Sequence, residues 1–237
     1  MDVSESTPEL PPDVMRRVER AIELSDRGLH ELVESELRTL LADFERLLGP
    51  AHDETIDLYD ALGHTLYQLE RLPESEAMHR EALSRSRRAH GPDHPATLAY
   101  AHNLGAALGV AGHTEESIEL LTDTTERRDR LLGPDHPDTL DTASTLGSIL
   151  YAAGRRDEGL TVLESAHVRC RAVLGDDDDL TMSVRSDLVA ALHTSGRRQE
   201  AAMMLVGLLR TYERVLGPDD VTTLRTRQRL AAMGWTI

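Results

Sequence analysis

The sequence predicts an all-α fold in which similar helical hairpins stack along the chain. Three observations lead to this prediction: a nine-residue phrase that recurs every 42 residues, apolar residues at helical spacing within each period, and glycines at fixed places. The phrase reads LGPAHDETI at Leu48, HGPDHPATL at His90, LGPDHPDTL at Leu132, LGDDDDLTM at Leu174 and LGPDDVTTL at Leu216. A fixed period of this length indicates repeated units, each of which packs against its neighbours.

Each period contains two predicted helices. In residues 137–174, apolar residues recur every three or four residues both before and after Gly154. This glycine marks the turn between the two helices. Gly175 suits the left-handed residue that follows a helix C-terminus. Pro137 suits the first turn of a helix, where its missing N–H costs nothing. The period therefore predicts a helix, a short turn, a second helix and a joint.

Aligning the periods predicts the bounds of all elements. The first helices of four matched repeats, within residues 53–216, are expected at 53–69, 95–111, 137–153 and 179–195, and the second helices at 73–90, 115–132, 157–174 and 199–216. A degenerate pair, 12–48, is expected as helices at 12–27 and 30–48, and a C-terminal capping helix at 221–233. Terminal units of a stack are atypical because they cover its exposed core. Residues 1–11 are polar and predict a disordered tail, so residues 12–237 are expected to form a single array.

Composition narrows the classes of function. Apolar residues make up 40% of the chain but aromatic residues only 3%, and this disfavours the aromatic-rich pocket of many enzymes. Cys170 is the one cysteine, so the chain has no internal disulfide and no cysteine-based zinc site. We expect no leader peptide, no membrane span and a cytoplasmic location.

The net charge of −16 is a second constraint, and the excess of acids is largest in residues 1–60. Nucleic acid and anionic membranes are therefore not expected as partners, since binding to phosphates needs a basic surface. An acidic surface attracts a basic partner instead.

Small residues recur at fixed places within the hairpins. The first helices carry Leu62-Gly63, Leu104-Gly105 and Leu146-Gly147, and the second helices carry Ser75, Ser117, Gly159 and Ala201. This pattern resembles tetratricopeptide repeats, in the 42-residue form typical of kinesin light chains. The resemblance implies a right-handed superhelix of about eleven helices, whose first helices line a concave groove that holds extended peptides.

The resemblance also assigns candidate groove residues. These side chains would face the groove from the four first helices: Asp57, Asp60, His64 and Tyr67; His102 and Asn103; Asp141, Thr145 and Tyr151; Asp187 and His193. Family members often grip the peptide backbone with an Asn before the Leu-Gly step, and only Asn103 keeps it here. The face is polar and mildly acidic, so we expect an extended peptide or protein segment rich in Arg or Lys.

The predicted function is a non-enzymatic adaptor for protein–protein interaction, with no cofactor, no catalytic residues and no metal site. His52, His94 and His136 lie one period apart, so each is expected to have a structural role in its joint and not to share a metal. Three alternatives stay open: a self-assembling module that forms a homo-oligomer, a regulatory subunit of an enzyme or a transcription factor, and a metal-dependent enzyme.

Overall fold

The computed structural model describes residues 10–235, and these residues form eleven α-helices and no strand. The helices are α1 (Pro12–Asp26), α2 (His30–Leu47), α3 (Asp53–Gln68), α4 (Leu72–His90), α5 (Pro95–Ala111), α6 (Thr114–Leu132), α7 (Pro137–Ala152), α8 (Arg156–Leu174), α9 (Asp179–Thr194), α10 (Arg198–Val215) and α11 (Val221–Ala232). The predicted all-α class is confirmed, and each helix begins and ends within one residue of its predicted bounds. Residues 1–9 of the predicted tail lie outside the described residues.

At three of the joints between hairpins, a side chain caps the first helix that follows, namely α5, α7 and α9. The Nδ1 atom of His94 accepts a hydrogen bond from the backbone N–H of Ala96 at 3.3 Å, and that of His136 accepts one from Asp138 at 3.2 Å. Asp178 takes this role for α9. A cap satisfies N–H groups that have no partner within the helix. His94, His136 and Asp178 are therefore helix caps, whereas His52 makes no such hydrogen bond at the start of α3.

The turn inside each hairpin requires a left-handed residue. Gly112, Gly154 and Gly196 adopt φ values of 88–89° there, but the same turn between α3 and α4 holds Glu70 at φ 58°. Glycine reaches this region freely, whereas a side chain makes it unfavourable. The first matched repeat tolerates this cost, and its neighbours avoid it.

The chain divides into two compact units, Met1–Ser117 (the N-terminal unit) and Ile118–Ile237 (the C-terminal unit). The N-terminal unit buries a core that joins α1, α2 and α3, including Leu40, Phe44 and Leu62. The largest core of the C-terminal unit joins α8 to α11 and includes Leu192 and Leu205. Among the described residues, no helix combines the length and apolarity that a membrane span needs. The prediction of a single array stays a prediction.

Small residues allow the two helices of a hairpin to touch. A Cβ atom added to Gly159 in α8 would lie 2.6 Å from the carbonyl oxygen of Gly147 and from the backbone nitrogen of Tyr151, both in α7. In the hairpins of the N-terminal unit, a serine hydroxyl takes part in the contact, since Ser75 Oγ donates to the Gly63 carbonyl at 2.8 Å and Ser117 Oγ donates to that of Gly105 at 2.6 Å. The hairpins therefore depend on the absence of large side chains at these places.

We predict that Gly159→Ala destabilises the C-terminal unit by about 3 kcal/mol, because the obstructing atoms are backbone and both helices must move apart. The matched control is Gly207→Ala in α10, whose added Cβ would lie at an ordinary 3.9 Å from Arg185. The control should stabilise by about 0.5–1 kcal/mol through helix propensity. Urea unfolding of both variants checks this, and equal midpoints for the two would contradict it.

Candidate functional site

The predicted groove residues lie on α3, α5, α7 and α9, which are the first helices of the four matched repeats. The N-terminal face consists of Asp57, Asp60, His64 and Tyr67 on α3 with His102 and Asn103 on α5. The C-terminal face consists of Asp141, Thr145 and Tyr151 on α7 with Asp187 and His193 on α9. The four α3 residues are spaced three or four residues apart along the chain, so they share one side of that helix. Each face lies within a single unit.

Asp60 is the centre of the N-terminal face. Its carboxylate accepts a hydrogen bond from Asn103 Nδ2 at 2.9 Å and lies 2.7 Å from the Nδ1 atom of the buried His79. His64 Nε2 approaches the same carboxylate at 3.6 Å. The structure thus brings Asp60, His64 and Asn103 together, but it commits the Asp60 oxygens to partners in this chain. The predicted role of Asp60 as a ligand for a basic peptide stays a prediction.

His64 carries little positive charge at neutral pH. Surrounding protein atoms lower its pKa although 59% of the side chain is exposed, and the Asp60 carboxylate opposes that shift. A neutral imidazole does not repel a cationic side chain. The acidic character of this face is therefore retained near pH 7.

Asp57 is the most accessible acid of this group. It is exposed, and its Oδ1 atom accepts a hydrogen bond from the Tyr100 hydroxyl at 2.6 Å. Burial and this hydrogen bond raise the pKa of Tyr100, so the phenol keeps its proton and orients the carboxylate. A carboxylate has about four acceptor positions, so Asp57 can still accept bonds from a ligand.

A cleft of about 510 Å³ opens beside Asp57, between α1 and α3. Buried residues of α2, Leu40 and Phe44 among them, form its floor. Two exposed apolar side chains of α1, Met15 and Ile22, line one wall, and Glu54 and Asp57 line the other. The cleft therefore combines an apolar interior with carboxylates at its border.

His64 also lines this cleft, whereas Tyr67 and His102 are not among its lining residues. Tyr67 is 39% exposed and lines a separate depression with Val110. His102 is half-buried on α5, on the turn that also carries Asn103. Tyr67 therefore presents an aromatic ring to solvent, as a stacking residue requires.

The C-terminal face is organised around two acids. The Asp187 carboxyl is reached by solvent, yet crowding by protein atoms raises its pKa, and repulsion from Asp141 acts in the same direction. Ser148 Oγ donates to Asp187 at 3.4 Å. The proximity of two carboxylates makes this face attractive to a cation.

The other three residues of the C-terminal face differ in exposure. The Tyr151 hydroxyl lies 2.8 Å from Thr194 Oγ1, and the ring packs on the core beneath it. Thr145 is half-buried, and His193 is exposed. Tyr151 is therefore a fixed ring, whereas His193 is free to meet a ligand.

A second cavity of about 330 Å³ lies in the C-terminal unit, between α8, α9 and α10. Its lining includes the buried side chains of His167 and Arg185, which are 8% and 6% exposed. The Nδ1 atom of His167 has no hydrogen-bond partner among the described residues. Burial and the charges of Arg185 and Arg171 lower the pKa of His167 to about 4, so its ring is neutral near pH 7.

Comparison between periods could have found the buried partner of Asp60. His79 occupies a place that holds Leu121, Leu163 and Leu205 in the later repeats, all buried or in core clusters. A histidine at a leucine position needs a polar partner, and Asp60 lies at the place of Ser144 and Ser186. Sequence reasoning missed this pair because the acid was assigned to the groove alone.

No group of three or more His, Cys, Asp or Glu side chains within residues 10–235 has the arrangement of a metal site. Cys170 is buried in α8, where burial raises the pKa of its thiol to about 11. A thiol that keeps its proton is a poor nucleophile and a poor metal ligand.

We predict that Asp60→Ser destabilises the N-terminal unit by about 1–3 kcal/mol, since it leaves the buried His79 ring without its partner. The double variant Asp60→Ser/His79→Leu adopts the residues of the later repeats and should lie within about 1 kcal/mol of the original. A double-mutant cycle by urea unfolding measures the coupling. Strictly additive effects would show that the pair is not a unit.

We also predict that acid destabilises the C-terminal unit through His167. Its pKa of about 4 in the folded state lies below the ordinary value of 6.5, so between these pH values the unfolded chain binds the extra proton. Stability should therefore decrease by at most about 3 kcal/mol as pH falls from 6.5 to 4. His167→Leu, which matches Leu83 and Leu209 in other repeats, should flatten this part of the stability–pH curve.

Three solved structures show similar folds. A crystal structure of putative kinesin light chain TPR-like repeats from Podosopora anserina aligns with a TM-score of 0.72 and 20% identity, covering 88% of this chain and 98% of that one. The crystal structure of BtubC (BKLC) from P. vanneervenii aligns with a TM-score of 0.70 and 18% identity, covering 86% of this chain and 81% of that one. The crystal structure of Bacillus thuringiensis PlcR, in complex with the peptide PapR7 and DNA, aligns with a TM-score of 0.64 and 13% identity. The alignment covers 96% of this chain and 77% of that one.

The sequence comparisons identify the family. Comparison with curated proteins finds no match. The model of the tetratricopeptide repeat family matches residues 58–130 and 138–206, more than half of the chain. The similar structures confirm the predicted solenoid fold and its likeness to kinesin light chain repeats. The chain therefore belongs to the tetratricopeptide repeat family.

Proposed function

We propose that the chain is a non-enzymatic adaptor that binds an extended, basic peptide or protein segment at the N-terminal face. The observation that carries this proposal is the apolar cleft between α1 and α3 with carboxylates at its border. Family membership supports a role in protein–protein interaction. PlcR, a protein of similar fold, is known in complex with a peptide, which supports a peptide as the ligand class.

The cleft supplies the apolar part of the binding energy. Its volume of about 510 Å³ lies within the range of ligand pockets, roughly 300–1,000 Å³. An apolar side chain that enters it covers the exposed surface of Met15 and Ile22. Such burial contributes about 25 cal/mol for each Å² of apolar surface removed from water. A leucine or methionine of the peptide fits this environment.

The acids supply specificity for a basic residue next to that apolar one. Asp57 is held in place by Tyr100 and lines the cleft together with Glu54, so an Arg or Lys beside the inserted side chain meets two carboxylates. Exposed ion pairs contribute only about 0–1 kcal/mol each. Asp60 acts on the ligand through Asn103, which it orients, more than by direct contact.

The C-terminal face offers a second acidic surface within its own unit. Asp141 and Asp187 lie close enough to influence each other, and Tyr151 lies on the same helix as Asp141. We infer that this face also prefers a cationic segment. Its role in binding is tested separately from that of the cleft.

Self-association is the second candidate, and exposed apolar residues on the last helix favour it. Val221 and Leu224 of α11 are 58% and 40% exposed, and the neighbouring Trp235 is 37% exposed. Aromatic and aliphatic residues of this kind are enriched at interfaces between subunits.

We predict that a fluorescent peptide containing leucine flanked by arginines binds the chain with an affinity that falls as salt is raised. Glu54→Gln/Asp57→Asn should weaken binding about two- to tenfold, because two exposed ion pairs are removed. Met15→Ser/Ile22→Ser should weaken it as well, but without changing the salt dependence. Fluorescence anisotropy measures each affinity.

The control is Glu31→Gln/Glu115→Gln, which removes the same charge from exposed positions on the second helices α2 and α6. If the control weakens binding as much as the variant at the cleft, the effect reflects net charge and the site is wrong. Light scattering of the original chain and Trp235→Ala separates self-association from peptide binding. A dimer that Trp235→Ala dissociates and that binds no peptide favours the second candidate.

A further inference from the structure

The cavity between α8, α9 and α10 carries an unusual charge for so acidic a chain. Arg185 forms its buried base, and the more exposed Arg171 and Arg214 stand at its rim. Asp176 pairs with Arg171 at 2.9 Å and also with Arg185, and Asp177 pairs with Arg214. Three guanidinium groups thus face two carboxylates, and the cluster keeps a net positive charge.

The same place in the N-terminal unit is filled. Three periods before Arg185 stands Tyr59, whose hydroxyl donates to Glu45 at 2.8 Å. The Arg85 guanidinium lies 4.2 Å from the centre of the Tyr59 ring and reaches the Pro50 carbonyl oxygen at 3.1 Å. Glu81 accepts a hydrogen bond from Arg85 at 2.7 Å. Large side chains and paired charges occupy that place.

At the equivalent positions of the C-terminal unit, each of these side chains is exchanged for a smaller or a more basic one. Thr211 stands where the first matched repeat has Arg85, and Gly207 stands where it has Glu81. Arg171 replaces Glu45, so the acid that balanced the charge has become a base. Asp176 takes the place of the proline found in the other four joints. These exchanges open the site and convert it from a contact with one excess negative charge to a basic cavity.

We propose that this cavity binds a phosphate group, either inorganic phosphate or the phosphate of a small phosphorylated molecule. Arginine is the residue best suited to this ligand, because its planar fork donates two parallel hydrogen bonds to an oxyanion. The buried His167, whose Nδ1 atom has no hydrogen-bond partner among the described residues, places a neutral imidazole beside Arg185 that can donate to an oxyanion. The ligand is held by Arg185 from below and by Arg171 and Arg214 from the rim.

Asp176 occupies the position of the ligand when none is bound. Its carboxylate lies between Arg171 and Arg185 and is itself half-exposed on the joint before α9. A phosphate dianion brings more charge and more acceptor oxygens than one carboxylate, so it can displace Asp176 towards solvent. The proposal is independent of the peptide cleft, which lies in the other unit.

The test titrates inorganic phosphate and O-phosphoserine into the full chain in a phosphate-free buffer at constant ionic strength, followed by calorimetry. Asp176→Asn removes the internal competitor and should tighten phosphate binding about fivefold. Arg185→Gln should weaken it at least about tenfold. The matched control Arg197→Gln removes the same charge at an exposed pair outside the cavity and should have no effect. Tighter binding of phosphate or of phosphoserine identifies which source the site prefers.

A second variant guards against a general effect of losing the buried Arg185. Gly207→Glu restores the acid of the first matched repeat, and its Cβ would make only an ordinary contact at 3.9 Å, so the fold is kept. It should abolish phosphate binding, whereas Met203→Glu, which adds the same charge on an exposed part of α10, should not. Failure of phosphate to bind both the original chain and Asp176→Asn would overturn the proposal. Acetate that binds as tightly as phosphate would overturn the assignment to phosphate.

Discussion

The close contact between the two helices of a hairpin is the constraint on which the structure depends. Gly63 meets Ser75, Gly105 meets Ser117, and Gly147 meets Gly159, and in the last case backbone touches backbone. Helices that approach this closely leave room for only one layer of side chains between neighbouring hairpins, and leucines fill most of it. Residues that face away from this layer have no such restriction. The repeat therefore fixes a narrow set of positions and leaves the first-helix faces open to variation.

The period of the sequence was sufficient to predict the helices, because caps, turns and apolar residues all recur with it. The joint histidines illustrate this, since His94 and His136 begin α5 and α7 in the same way. The surroundings of the groove acids could not be predicted in the same way. Asp57 and Asp60 were expected on an open face, but Tyr100 and His79 approach them from α5 and α4. These contacts join different helices, and their residue pairs do not recur in the other repeats. The period of the sequence therefore does not predict them.

The cleft beside α1 also escaped prediction, and the reason is physical. In the degenerate first pair, Ala21 and Val33 stand where the first matched repeat has Gly63 and Ser75, and both line the cleft. Larger residues at the contact position alter how a terminal hairpin packs, but the sequence alone does not tell whether a gap results. The acid-rich α3 lies directly beside this gap and supplies the carboxylates at its border.

Departures from the repeat differ in whether their polar groups are satisfied. In the N-terminal unit, His79 replaces leucine, and Asp60 supplies the hydrogen bond that a buried imidazole needs. In the C-terminal unit, His167 also stands where Leu83 and Leu209 occur, yet no described residue makes a hydrogen bond with its Nδ1 atom and a cavity lies beside it. A buried polar group without a partner lowers stability, and it is retained more easily where a ligand completes the contact. The first departure is thus explained by folding alone, whereas the second leaves a polar atom beside a cavity, where a bound phosphate would satisfy it.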